Sequence, residues 1–531
     1  MNHLVFFAEN SSHPFEARFG GESAFFRALR WASSLPSLGD VRILAFEERL
    51  GEVERTLAAF QGDRKLPPCT VKAAPEWTPR LLLQTLREET SGTVIFALAS
   101  CPFYDPALTR ELLSHHGTYA GEYTFAEGYP EGLVPAAVDA GALQSLWALV
   151  KDAPDPGGPV SHRTLFDLMR PHVNSFEVET LTAKQDLRFY RFDFSCSGLR
   201  ETLVCEGLYK KAAPRGDFSA ETLGDLARSS PEILRTVPSF YALQISAFTG
   251  DDPVYSPYAG EYCKKFGHPP WEAREKNPRC FMPVEDAEGL LSQAASLSGE
   301  AVVSLSAWGD PLAHPRCAAI VGAALSHPGI SLLVETDGAL VTRELAESLR
   351  ALCDKAPGRT GKHGKIYWIV YIDGMDEDAY RRLHPAGERP PGVTLPTHGK
   401  AVEALDILTA SFGKAVYPQF MRTTLNENQL ESFYRHYKEK GNLIIQKYDS
   451  FCGKLPDLRP ADLSPAERYP CWHLLRDMTV LADGGAPVCR ERGLEAGGLN
   501  VFTEGVEGAW KRLGREIDLC GACDEYYTFN F

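Results

Sequence analysis

Four cysteines in the last sixty-one residues carry the most direct chemical signal. Cys471 and Cys489 bound the segment CWHLLRDMTVLADGGAPVC, and Cys520 and Cys523 form a Cys-x-x-Cys pair in LCGACDE. Two sulfurs from one tight turn can reach a single metal site, and the remaining ligands then come from elsewhere in the fold. Four thiolates hold either an iron–sulfur cluster or a tetrahedral zinc ion. The plain alternative is a zinc turn or a pair of buried thiols. Spacing alone leaves these readings open.

A second group of residues lies at strand ends further upstream. Gly309, Asp310 and Pro311 stand in LSAWGDPLAHP, Thr336 to Gly338 in LLVETDGALVT, and a third turn in IVYIDGMDEDAYRRLHP. A Gly-Asp-Pro run after a strand is on its own a tight turn. Cys263, His268 and Cys280 are spaced too widely for a preformed cluster turn and read as loop residues.

The chain that must position these residues has 531 of them, which is too many for one core, so two to four domains are expected. With 44% hydrophobic and 24% charged residues it reads as an ordinary folded protein. A formal charge of −15 and the lack of a Lys/Arg stripe argue against nucleic acid as a partner. The N-terminal MNHLVFFAENSSHPF lacks a signal-peptide pattern, and runs such as TVIFAL are too short to cross a bilayer. Thirteen cysteines, mostly scattered singly, suit a reducing compartment. A cytoplasmic location without membrane attachment is the expectation.

Periodicity predicts a strand at 4–8, a helix at 23–35, a strand at 41–46, a helix at 78–89 and a buried strand at 93–98. That alternation suggests a three-layer α/β domain over residues 1–151. DAPDPGGPVS at 152–161 reads as a linker, and 162–236 as a connecting subdomain with an alternating strand at 187–194. From 237 to 450, six candidate strands alternate with helices: FYALQIS, AVVSLS, ISLLVET, KIYWIVYI, AVYPQFM and NLIIQKY. Repeated βα units build an open doubly wound sheet or a full or partial barrel.

The C-terminal motifs, taken in order, resemble a SPASM domain over about 460–531, drawn here as a domain spanning 451–531. The resemblance implies one [4Fe–4S] cluster on Cys471, Cys489, Cys520 and Cys523, since further downstream cysteines are missing. Region 237–450 resembles a radical S-adenosylmethionine partial barrel. Gly309, Asp310 and Pro311 match the family's Gly-Glu-Pro cofactor motif. In that family three thiolates follow the first strand as Cys-x-x-x-Cys-x-x-Cys. The matching stretch here, QISAFTGDDPVYSP, puts Thr249, Pro253 and Ser256 at those places. Proline has no donor, and neutral hydroxyls are poor ligands for iron–sulfur clusters. The resemblance therefore implies an empty cluster site and makes S-adenosylmethionine doubtful as a cofactor.

The N-terminal domain resembles nucleotidyltransferases, through FGGESAFFRALRWA and FALASCPFYDPALTRELL. Its first loop lacks a glycine cluster, and Ser100 takes the place of a metal-binding aspartate. The three-part order resembles the spiro-SPASM family. The implied protein is a mixed α/β iron–sulfur scaffold for binding or electron transfer, its partner an unknown small molecule, peptide or protein. An enzyme that modifies a peptide or metabolite through an atypical site, and a nucleotidyltransferase-like enzyme, are the alternatives.

Overall fold

A computed structural model describes residues 2–361, 363–461, 469–514 and 518–523. The chain forms two compact units, Met1–Thr236 and Val237–Phe531. The segment expected as an iron–sulfur domain includes 462–468, 515–517 and 524–531, which lie outside the described residues.

The first unit is built on nine strands: β1 (Asn2–Ala8), β2 (Ala17–Phe19), β3 (Glu22–Ser23), β4 (Leu38–Phe46), β5 (Cys69–Ala74), β6 (Thr93–Leu98), β7 (Tyr123–Glu127), β8 (Ala136–Asp139) and β9 (Val178–Thr182). Seven of them make one sheet in the order β5-β4-β1-β6-β8-β7-β9, while β2 and β3 pair separately. β1 lies parallel to both β4 and β6, and β8 runs antiparallel to its neighbours. Residues 4–8 and 94–98 are buried as continuous runs, as parallel strands covered on both faces must be. Helix Pro106–Thr118 starts where the sequence has Asp-Pro: Asp105 accepts from the Ala107 and Leu108 amides, and Pro106 fills the first turn.

One expectation fails in this unit. Residues 187–194 form no strand despite their alternation. A short 3-10 turn covers Arg188–Tyr190, and Arg191 is left-handed at φ 53°. The cause is local: Asp186 accepts from the Arg188 amide and guanidinium, closing a turn. The apolar positions instead serve an aromatic stack, Tyr190 on Phe192 and Phe192 on Phe194.

The second unit carries β10 (Phe240–Leu243), β11 (Ala301–Ser304), β12 (Ile330–Thr336), β13 (Ile366–Tyr371), β14 (Val416–Arg422), β15 (Ile444–Lys447) and β16 (Asp477–Val480). They form a seven-stranded, all-parallel sheet in the order β15-β14-β13-β12-β11-β10-β16, curled as a half-barrel. The six strands expected between 237 and 450 are all present. The fold class is thus mixed α/β, with a mainly parallel sheet in one unit and a half-barrel in the other.

Strand β16 comes from the cysteine-bearing C-terminal segment, and it pairs in register with β10, Phe240 to Asp477 through Leu243 to Val480. Cys471 and Cys489 therefore flank a strand of the barrel sheet itself. Crossover helices cover the sheet. Helix Arg343–Lys355 shows why: Thr342 caps it through the Leu345 amide, and Ala346, Leu349 and Cys353 recur on one buried face. No described helix is long and apolar enough to cross a membrane.

Candidate functional site

The C-terminal ends of β10, β11, β12 and β13 meet around a cavity of about 370 Å³. The sequence motifs lie there because each follows its strand directly. Gly309 has φ 77°, and a β-carbon on it would lie 2.3 Å from the Ser246 carbonyl oxygen. Only glycine lets these two backbones approach so closely. Asp310 then donates its amide to the Phe248 carbonyl, and its Oδ1 accepts from the Leu312 amide at 2.8 Å. Pro311 starts the short turn that this aspartate caps. Asp310 faces the cavity, and burial, with Asp251 nearby, raises its carboxyl to about 7. Asp337 lines the same cavity and is raised well above the usual carboxylate range, by burial and by Asp310 and Asp251.

Thr249, Pro253 and Ser256 also line this cavity. The Thr249 hydroxyl accepts from the Asp251 amide at 3.0 Å, and the Ser256 hydroxyl from the Tyr258 amide at 3.3 Å. Both oxygens serve the turn's own backbone. These residues do not fit the thiolate-held cluster and bound S-adenosylmethionine that the barrel resemblance brings with it.

Between the turn and the barrel wall sits a buried ion triad that the sequence did not reveal. His384 Nδ1 lies 2.6 Å from Asp251 Oδ2, and its Nε2 lies 2.9 Å from Asp373 Oδ2. The Tyr255 hydroxyl donates to the same Asp373 oxygen at 2.7 Å, and the Tyr380 ring stacks on the imidazole at 4.1 Å. Burial alone would lower the imidazole's affinity for a proton, but the two carboxylates outweigh it and raise His384 to about 10. The ring is therefore a cation at neutral pH, with both N–H groups donating. His384 and Asp373 are fully buried. Asp373 is held left-handed at φ 51°, its other oxygen accepting from the Met421 amide. The sequence signal was the Leu-His-Pro after β13, but nothing in it points to Asp251.

The C-terminal segment also reaches the cavity. Cys489 and Arg490 line it together with His473 and Arg476. Cys471 begins the short helix Trp472–Arg476, and Cys489 begins the turn Arg490–Arg492. Burial raises Cys471 to about 12, with lesser upward pressure from Cys489 and Cys520. Cys489 is raised in the same way, with pressure from Glu491 and Cys520. Cys520 thus bears on both of these thiols.

Cys523 sits with different partners. Its sulfur, that of Cys452 and a carboxylate oxygen of Glu491 lie within 4.8 Å of one another, the tight ligand set found among the described residues. Neither Cys452, in FCGK after the last barrel helix, nor Glu491, two residues past Cys489, was selected from sequence. Cys263 is exposed and Cys280 is packed in a hydrophobic cluster with Tyr258 and Trp308. Among the described residues they join no tight ligand set. In the first unit, Ser100 donates to Glu9, whose carboxyl burial raises to about 7.

No family model matches the chain. An uncharacterized protein of Treponema pallidum (strain Nichols) is 36% identical over 379 residues, which span 69% of this chain and 98% of that protein. The chain belongs to that protein's family. A second uncharacterized protein of the same organism is 31% identical over 144 residues, 26% of this chain and 66% of its own length.

Among solved structures, Streptococcus suis SuiB bound to precursor peptide SuiA covers 64% of this chain and 86% of its own, at 12% identity and TM-score 0.40. BtrN in complex with AdoMet and 2-DOIA covers 54% and 94%, at 15% and 0.31. A cytidylyltransferase from Leptospira borgpetersenii covers 44% and 95%, at 11% and 0.35. TM-scores below 0.5 do not assign a family.

Proposed function

We propose that this chain is an iron–sulfur protein whose half-barrel binds a small ligand beside the metal centre and performs no radical S-adenosylmethionine chemistry. One observation carries the reading: among the described residues Cys489 is the one cysteine that lines the cavity, while Thr249, Pro253 and Ser256 line it from the strand-end turn.

The donor set fits a cluster. Burial raises the Cys471 and Cys489 thiols, and Cys523 follows Cys520 on the same turn, its amide donating to the Cys520 carbonyl at 3.4 Å. These four residues would hold the [4Fe–4S] group, which supplies one-electron transfer when bound. The zinc alternative uses the same donors. The chain's own residues do the rest. β16 pairs with β10 of the barrel sheet, and the cavity is lined by the carboxyls of Asp310 and Asp337 and by Arg476 and Arg490. A small molecule or peptide end with an anionic group beside hydrogen-bonding groups suits such a lining.

The test is anaerobic reconstitution of the full chain, with iron and labile sulfide measured. The reading expects about four irons per chain, falling toward background in Cys489→Ser. Zinc in a colourless wild-type protein would remove it.

A further inference from the structure

Cys452, Glu491 and Cys523 come from three separate stretches of chain: the loop after β15, the turn after Cys489, and the Cys-x-x-Cys pair. Their ligand atoms nevertheless lie within 4.8 Å of one another, and Cys452 Sγ is 3.5 Å from Glu491 Oε2. A tetrahedral zinc ion, with bonds of about 2.3 Å to sulfur and about 2.0–2.2 Å to oxygen, spaces its ligand atoms by about 3.4–3.8 Å. The Cys452–Glu491 pair already has that spacing, and the Cys523 sulfur lies within 4.8 Å of both. Cys471, Cys489 and Cys520 are not drawn so tightly among the described residues.

We propose that Cys452, Glu491 and Cys523 form a binding site for a thiophilic divalent cation of the zinc class in the chain that has not yet received its cluster. Glu491 and Cys523 are 4% and 6% exposed, so a carboxyl group and a thiol are held together out of water. Deprotonated together they would be like charges buried side by side, a cost that a bound cation offsets. Cys452 itself is left-handed at φ 57°, a conformation a side-chain-bearing residue keeps only where its surroundings enforce it. On binding, each thiol releases its proton to solvent as the sulfur–metal bond forms. Three protein ligands leave the fourth position to water, as in open zinc sites. The site rests on Cys452 and Glu491, which the cluster reading does not use. Cys523 belongs to both sets, so cation and cluster exclude each other there.

The probe is cobalt(II), titrated into the full, anaerobically purified metal-free chain and followed by thiolate-to-cobalt absorption. Wild type is expected to bind it with thiolate bands. Cys452→Ser and Glu491→Gln are each expected to weaken binding by at least about tenfold. Cys452→Ser also loses charge-transfer intensity that Glu491→Gln keeps, and circular dichroism checks that both variants fold. Both variants should still take up about four irons on reconstitution. Absence of thiolate–cobalt absorption in the wild type, or wild-type affinity in both variants, overturns the site. Iron loss in Cys452→Ser would make Cys452 a cluster ligand and overturns it too. Failure of the cluster reading looks different: cobalt binds as described, but no iron is retained.

Discussion

His384 and Asp251 are joined by a 2.6 Å contact that fastens the turn after β10 to the helix end after β13. A cationic imidazole between two carboxylates holds that turn. Removing one member of a buried, hydrogen-bonded charge set costs about 3–5 kcal/mol, because the remaining charges stay buried. His384→Ala should lower the stability of the barrel unit by that amount in denaturant unfolding.

The same triad sets a pH window. His384 binds its proton up to about pH 10 when folded, against 6.5 for an unperturbed imidazole. Folding is therefore favoured fully below about pH 6.5, and that contribution is lost as the pH rises toward 10. Urea midpoints measured across this window should fall in the wild type and lie flatter in His384→Gln.

Asp310 gives a slope at lower pH. Its carboxyl is raised from 3.8 to about 7, chiefly by burial, so the folded chain holds a proton that the unfolded chain releases. Its contribution is complete below about pH 3.8 and is lost as the pH climbs through 7. Asp310→Asn keeps the acceptor for the Leu312 amide and removes the ionisation. It should be more stable than wild type at pH 8, with the gain vanishing near pH 4.

How much of this could be read from the sequence depends on how local each feature is. The strands at 4–8, 93–98 and 366–371 announce themselves through apolar runs, and Gly309 and Asp310 through their place after a strand. Residues 187–194 mislead, because the Asp186–Arg188 turn is cheaper than a strand and the aromatic rings stack within it. Strand β16 falls in the cysteine-bearing C-terminal segment. Its pairing with β10 lies more than two hundred residues away in sequence and leaves no local mark. Asp251, Cys452 and Glu491 were invisible for the same reason: each matters only through what folding brings beside it.

Gly309 tests the close backbone approach. Gly309→Ala would place a β-carbon 2.3 Å from the Ser246 oxygen, and at a positive φ. Overpacking and backbone strain together should cost about 2–4 kcal/mol in thermal or denaturant unfolding. Gly267, also at positive φ but with open space around it, is the control and should cost less when changed to alanine.

The most direct test incubates the reconstituted chain with a strong reductant and S-adenosylmethionine, and measures 5′-deoxyadenosine. A strand-end turn with Thr249, Pro253 and Ser256 where thiolates would be needed predicts none above the cluster-free control. Formation of 5′-deoxyadenosine, scaling with protein and lost in Asp310→Ala, would contradict that account.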